Sequence, residues 1–162
     1  YDGMVGAGVP REAIHGVLVD MAARLQRRGS RYELFDGVAD ALSSLSRSAT
    51  LYVVTSNVGA VVAARLADHG ICCFRDVLGS ETDTSKHAKL HHLATRHPHA
   101  RLYYVGDTVG DIREARAAGA TAVAATWGWH DRERLLAAAP DIVVDSPARL
   151  PAGLGLSGDA KR

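Results

Sequence analysis

Two aspartates four residues apart, Asp107 and Asp111, lie in the run YYVGDTVGD (103–111), with Gly106 just before the first. Upstream, the run TLYVVT (50–55) leads into small polar residues, Thr55, Ser56 and Asn57. Lys86 opens a later segment with helical spacing. These residue types suit one chemistry. A carboxylate pair of this kind binds Mg²⁺, a hard cation that takes oxygen ligands and commonly shares them with phosphate. A hydroxyl followed by exposed backbone N–H groups holds phosphate oxygens. A lysine supplies a point charge for the same group. Gly106 lets the chain turn tightly beside an ion. Together they describe phosphoryl transfer, in which positioning and charge neutralisation carry most of the catalysis.

Such residues need a scaffold that brings them together. The run 50–55 is apolar without alternation, which predicts a parallel strand covered on both faces. Further strands are predicted over 76–79, 102–105, 121–125 and 141–144. Helices are predicted over 10–28, 37–46, 58–69, 85–97, 111–118 and 131–139, from apolar residues at helical spacing and from Gly or Pro at their ends. Strand–helix alternation with short links predicts an α/β fold with a doubly wound parallel sheet. In such sheets ligands collect beyond the carboxyl ends of the strands. Thr55, Ser56, Asn57, Asp107 and the stretch 126–130 are all delivered there. No internal repeat is present. The stretch PAGLGLSGDAKR (151–162) is Gly-rich and polar, and is expected to fray.

Composition narrows the partners. The 162 residues are 47% hydrophobic and 23% charged, a globular balance, with a formal net charge of +1. That charge points to neither a nucleic-acid nor a membrane surface. No apolar run approaches the roughly 18 residues of a membrane span. The first residues lack the basic, apolar, small-residue order of a signal peptide. The only cysteines, Cys72 and Cys73, are adjacent and make poor disulfide partners, which suits a reducing, cytoplasmic setting and small core residues.

The segments LYVVTSN, TSKHAKL, YYVGDTVGDIREARAAG and TWGWHDRERLLAAAPDIVVDSPARL resemble, in order, motifs II, III and IV and the downstream loop of the haloacid dehalogenase superfamily. The closest likeness is to its phosphoglycolate phosphatase-like branch. The resemblance covers roughly residues 36–150. It implies an HAD-like Rossmannoid core over 36–150, with residues 1–35 as the rear part of a helical cap and 151–162 as a flexible tail. It implies a Mg²⁺-dependent phosphatase acting on a small phosphorylated metabolite, with phosphoglycolate as the default substrate. Thr55 resembles the phosphate-binding residue of motif II, with Ser56 and Asn57 beside it. Lys86 resembles the motif III lysine, although Lys89 is close by. Asp107 and Asp111 resemble the motif IV acids that hold Mg²⁺ directly or through water. Thr55, Lys86 and Asp107 are thus the implied catalytic positions.

One element of the family pattern is missing. The reaction needs a nucleophilic aspartate two places before a second aspartate, at the end of the first strand, and an aspartyl-phosphate forms on it. No such DxD motif occurs. Asp2-Gly3 mimics only its second half, with Met4 where threonine is usual. The resemblance implies that this strand is central, between 50–55 and 102–105, so its loss deprives two strands of a partner. Either these residues belong to a longer chain, which is the expectation here, or the two strands close the gap by pairing directly. As it stands the chain is expected to be catalytically inactive. Two alternatives share the fold: an inactive binding or interaction module, and a phosphosugar mutase or dehalogenase. The oligomeric state is not legible.

Other residues invite weaker readings. His87 and His91 are spaced i, i+4, with His92, His97 and His99 nearby, but no Cys or acidic residue joins them at ligand spacing, so a polar helix surface is expected. Trp127 and Trp129 either border the substrate or pack. Arg113 and Arg116 are read as a solvated helix face.

Overall fold

The computed structural model describes residues 33–83 and 85–156. The predicted helix over 10–28 and nearly all of the cap segment 1–35 lie outside them. The described chain runs α1 (Val38–Ser46), β1 (Leu51–Val54), α2 (Gly59–Asp68), β2 (Phe74–Leu78), α3 (Lys86–Arg96), β3 (Tyr103–Gly106), α4 (Val109–Ala117), β4 (Thr121–Ala125), α5 (Arg132–Ala137) and β5 (Ile142–Val144). A 3₁₀ turn (Pro147–Arg149) and α6 (Leu150–Gly153) follow. The alternation expected from sequence is present, and every strand pairing is parallel. Each pairing between consecutive strands has a helix as its crossover, because a parallel connection must return the chain to the same end of the sheet. No helix among the described residues is long and apolar enough to cross a membrane.

The side chains of β4 show why its sequence, TAVAA, is apolar throughout. Ala122 and Ala124 pack with Ile112 and Ala115 of α4 and Leu135 of α5. Val123, between them, packs on the other face with Leu45 of α1, Val144, Leu150 and Leu154. Successive residues point to opposite faces, so a strand covered on both has no polar position.

Residues 150–156 do not fray. Leu150, Pro151 and Leu154 are buried and Leu156 packs against the Val123–Val144 cluster, so apolar contact overrides the Gly-rich composition. Residues 157–162 lie outside the described residues. The cysteines also depart from expectation: Cys72 is exposed and Cys73 half-buried, because Ile71 takes the buried position where the chain enters β2. Burial raises the Cys73 thiol pKa. Arg116 is not simply solvated. Its guanidinium donates to the carbonyls of Ala138 and Ala139 and so ties α4 to the end of α5.

The strands form two sheets, β1–β2 and β3–β4–β5. β1 and β3 do not pair. Between them lies a cleft of about 360 Å³, lined by both strands together with Leu45, Leu90, Leu93 and Leu154. Helix α3 packs against both β1 and α4 and so bridges the two halves.

Candidate active site

Four expected residues sit where strands of the two halves end. Asp111 is the most constrained. Helix α4 starts at Val109 rather than at Asp111, because Thr108 and Asp111 form a reciprocal capping box. Thr108 Oγ1 accepts from Asp111 N (3.1 Å), and Asp111 Oδ2 accepts from Thr108 N (3.1 Å) and Oγ1 (2.7 Å). Asp111 Oδ1 accepts from Lys86 Nζ (2.7 Å) and Tyr104 OH (3.1 Å). Its side chain is 5% exposed. Gly106 is required beneath it: a Cβ there would lie 2.3 Å from Asp111 Cβ.

Burial pushes the Asp111 carboxyl upward. The hydrogen bond and charge of Lys86, with bonds from Thr108 and Tyr104, outweigh it and hold the group below its ordinary value. The Tyr104 phenol moves the other way, raised by burial and then by Asp111, so it remains a proton donor. Since the folded-state pKa of Asp111 is the lower one, its stabilisation is complete above the unfolded value near 4 and is lost as pH falls through the folded value. Folding stability is therefore expected to fall below about pH 4, and Asp111→Asn should remove that part of the acid dependence. Urea titrations between neutral and acid pH measure it. An unchanged acid profile in the variant would contradict the assignment.

Asp107 is held differently. The stretch 126–130 folds over it: Asp107 Oδ2 accepts from Trp129 N (2.9 Å) and the Asp107 carbonyl accepts from His130 N (3.1 Å). His130 Nδ1 in turn accepts from Val109 N (3.0 Å), which fastens this loop to the start of α4. Asp107 Oδ1 has no hydrogen-bond partner among the described residues. Gly128 permits the close approach, since a Cβ there would meet Asp107 Cβ at 2.2 Å. Gly128→Ala should therefore displace Asp107 at a cost of about 1–3 kcal/mol and weaken any cation held there. Calorimetric titration with Mg²⁺ beside thermal melts reads both effects, and wild-type values for both would refute the contact.

Thr55 follows β1. Its N–H donates to Leu78 O (3.0 Å), and its Oγ1 accepts from Asn57 N (3.0 Å), leaving the hydroxyl proton free to donate. Asn57 O accepts from Ser80 N (2.8 Å), so the turn after β1 is tied to the end of β2. Ser80 Oγ is buried without a hydrogen-bond partner among the described residues. No hydrogen bond joins Asp107 directly to Thr55 or Lys86 among the described residues. The connection runs instead through α3.

Lys89, which the sequence offers only as a competitor to Lys86, takes a place that sequence reasoning did not foresee. It is 1% exposed, and its Nζ donates to the carbonyls of Thr55 (2.8 Å) and Gly79 (2.9 Å), at the ends of β1 and β2. Burial lowers its pKa. Lys86 and Lys89 are three apart, so they leave α3 on one face. Lys86 reaches the half that carries Asp111, and Lys89 the half that carries Thr55. Lysines near a helix start usually stand in solvent, so one sequence offered no signal of this division.

The tryptophans and histidines take different places. Trp127 is half-buried in a recess of about 250 Å³ beside Asp107, with Phe35, Val38, Leu42, Pro147 and Leu150. The Trp129 side chain is 83% exposed, and only its backbone N–H reaches Asp107. His87 stacks on His91 and its Nε2 donates to Ala117 O (3.2 Å), while His97 Nε2 lies 2.9 Å from Tyr52 OH.

Against known proteins, residues 10–125 match the family described as haloacid dehalogenase-like hydrolase. The chain belongs to that family. It is 39% identical over 122 residues to a phosphoglycolate phosphatase from Synechococcus elongatus, covering 73% of this chain and 58% of the relative. It is 33% identical over 124 residues to a phosphoglycolate phosphatase from Vibrio vulnificus, covering 72% and 54%. Among solved structures, a haloacid dehalogenase-like hydrolase from Streptococcus pneumoniae superposes with a TM-score of 0.68 at 28% identity, covering 74% of this chain and 59% of that one. The match thus spans a little over half the length of each relative.

The donor set of this HAD-like site fits Mg²⁺ unequally. Mg²⁺ typically takes one or two carboxylates and completes its shell with water and substrate phosphate. Asp107 presents an uncommitted oxygen. Asp111 has both oxygens engaged by Lys86, Tyr104 and Thr108 and suits an outer position. No group of three His, Cys, Asp or Glu residues placed to hold a metal lies among the described residues.

Proposed function

We propose that this chain forms the phosphate- and Mg²⁺-binding core of a phosphatase acting on a small phosphorylated metabolite through an aspartyl-phosphate. Phosphoglycolate is the first candidate, because relatives bear that name. The observation that carries the reading is the Lys86–Asp111 pair: a lysine held at 2.7 Å by a largely buried carboxylate, beside a second carboxylate with a free oxygen.

The chain's own residues divide the work. The Thr55 hydroxyl donates to a phosphate oxygen while its acceptor side is engaged by Asn57 N. Asn57 N is thus engaged within the turn and is not offered to the anion. Asp111 orients Lys86, whose remaining ammonium protons are available to phosphate. Asp107, held in place by Trp129 N, would carry the cation, with Asp111 behind it. When bound, Mg²⁺ supplies charge neutralisation at the phosphoryl group. The nucleophile comes from none of these positions, so the 162 residues alone are expected to give no turnover.

Titration of the chain with inorganic phosphate, with and without Mg²⁺, followed by phosphorus NMR and calorimetry, tests the reading. Mg²⁺-promoted phosphate binding is expected. Asp107→Asn should weaken it at least about tenfold, the loss that even an outer-shell partner of a metal ligand can bring. Binding that ignores Mg²⁺ and survives both Asp107→Asn and Lys86→Met would refute it. Mg²⁺-dependent hydrolysis of an aryl phosphate by this chain, abolished by Asp107→Asn, would refute the expected inactivity.

A further inference from the structure

Helix α3 carries a pair of imidazoles outside the site just described. His87 and His91 are four apart, so they stand one turn from each other on one face, and both are exposed. Their rings stack, with centroids 6.4 Å apart and planes inclined by 16°. The histidines that follow are placed differently: His92 leaves the helix about 100° further round than His91, and His97 lies against Tyr52. The His87 ring is held by its Nε2, 3.2 Å from Ala117 O. A carbonyl only accepts, so the neutral ring carries its proton on Nε2 and keeps the lone pair on Nδ1. Ala117 ends α4, whose last carbonyls have no partner within the helix. A ring N–H given to a main-chain carbonyl is the usual second contact of a metal-bound histidine: it fixes the tautomer and makes the opposite nitrogen more basic. The His91 ring touches His87 and makes no hydrogen bond among the described residues, so it is free to turn toward His87 Nδ1.

We propose that His87 and His91 form a two-imidazole site for a borderline divalent transition-metal ion such as Zn²⁺ or Ni²⁺, separate from the carboxylate at Asp107. Imidazole nitrogen suits these ions, whereas Mg²⁺ takes oxygen. Metal–nitrogen bonds are about 2.0–2.1 Å, so two nitrogens on one ion stand about 3–3.5 Å apart. The stacked rings are set wider than that, and rotation of the unanchored His91 ring closes the difference without moving the helix. His87 contributes Nδ1 while its Nε2–H stays on Ala117 O. Coordination draws electron density from the ring and makes that N–H a stronger donor. The ion thus clasps one turn of α3 and tightens its contact with the end of α4, the same turn from which Lys86 reaches Asp111. No third His, Cys, Asp or Glu completes a closed site among the described residues, so water fills the remaining positions. The result is an open chelate on a preformed face, unlike a structural zinc centre with four protein ligands.

The test uses the whole 162-residue chain carrying Cys72→Ser and Cys73→Ser, so that no thiol competes, in the absence of Mg²⁺ and phosphate. Ni²⁺ is titrated by calorimetry. NMR of the imidazole rings reports where it sits, because the paramagnetic ion broadens nearby nuclei. The expected result is one ion per chain, with broadening strongest at His87 and His91. Either His87→Gln or His91→Gln should weaken binding at least about tenfold, the smallest loss usual for a residue that supports a metal site, and His92→Gln should leave it unchanged. Nitrogen NMR of the metal-free chain should show the His87 proton on Nε2. Broadening as strong at His97 or His99 would mean diffuse adsorption and overturn the proposal. So would undiminished affinity in both glutamine variants, a His87 proton on Nδ1, or loss of Ni²⁺ binding in Asp107→Asn, which would put the ion at the carboxylates. Since the His91 ring makes no hydrogen bond, His91→Gln keeps the test decisive even where His87→Gln loosens α3 from α4. With Mg²⁺ and phosphate absent, this outcome is independent of the phosphate titration: either inference can fail while the other stands.

Discussion

Lys86→Met is expected to destabilise the chain by about 3–5 kcal/mol, the usual loss when one partner of a buried ion pair is removed. The physical reason is Asp111. Its carboxylate is 5% exposed beneath α3, and Lys86 is its only cationic partner among the described residues. Tyr104 and Thr108 would still donate to it but bring no charge. The stranded group should respond by binding a proton, so the deficit of the variant shrinks below the ordinary carboxylate pKa. Asp111→Asn keeps the shape and one accepting oxygen but turns the other into an NH₂ that faces donors, so it carries a cost of its own. The double variant should then be more stable than the sum of the two losses, because the charge that Lys86 compensates is gone. Equilibrium urea unfolding of the four proteins measures the coupling. A loss below about 1 kcal/mol for Lys86→Met, the range of a surface pair, would show that the pair is solvated.

Lys89→Met is the second large effect, expected at about 2–4 kcal/mol. Methionine matches the shape of the lysine stem but cannot donate, so the carbonyls of Thr55 and Gly79 lose a shared partner in a buried place, each at a cost of roughly 1–3 kcal/mol. Removing a desolvated ammonium offsets part of this. The loss should be local in character. Amide exchange should accelerate in the turn after β1 and at Ser80, while β4 stays protected. Phosphate affinity should also fall, although Lys89 does not face the anion, because Thr55 is no longer held. If phosphate affinity and exchange in the turn after β1 both stay at wild-type values, Lys89 has no positioning role.

The contrast between the two lysines shows where sequence reasoning reached its limit. Lys86 was identified by its place before a helix and by family likeness, and Lys89 was only a competitor for the same role. In the fold they do different things, because one turn of α3 separates a lysine that faces α4 from one that enters the seam between β1 and β2. Asp111 shows the same limit in another form. The resemblance implies that it holds a cation with Asp107 directly or through water, and in the fold four hydrogen bonds join it to Lys86, Tyr104 and Thr108. Tyr104 gave no hint of this, since an aromatic residue in a strand reads as core. Residues 151–156 pack against expectation because glycine dominates the composition there, while Leu154 and Leu156 decide where the segment lies.

Local chemistry was readable residue by residue. The unbroken apolar runs of the parallel strands, the helical spacing between them, the polar residues at strand ends and the Gly106–Asp107 turn all express preferences that act over a few neighbouring positions. Family membership followed from the order of those segments. What the folded molecule alone decided were distances between residues far apart in the chain: the 2.7 Å contact of Lys86 with Asp111, the burial of Lys89 on two carbonyls, the wrap of Trp129 and His130 around Asp107, and the cleft between β1 and β3. These depend on which helix crosses which sheet edge, and no periodicity in a single chain encodes that choice.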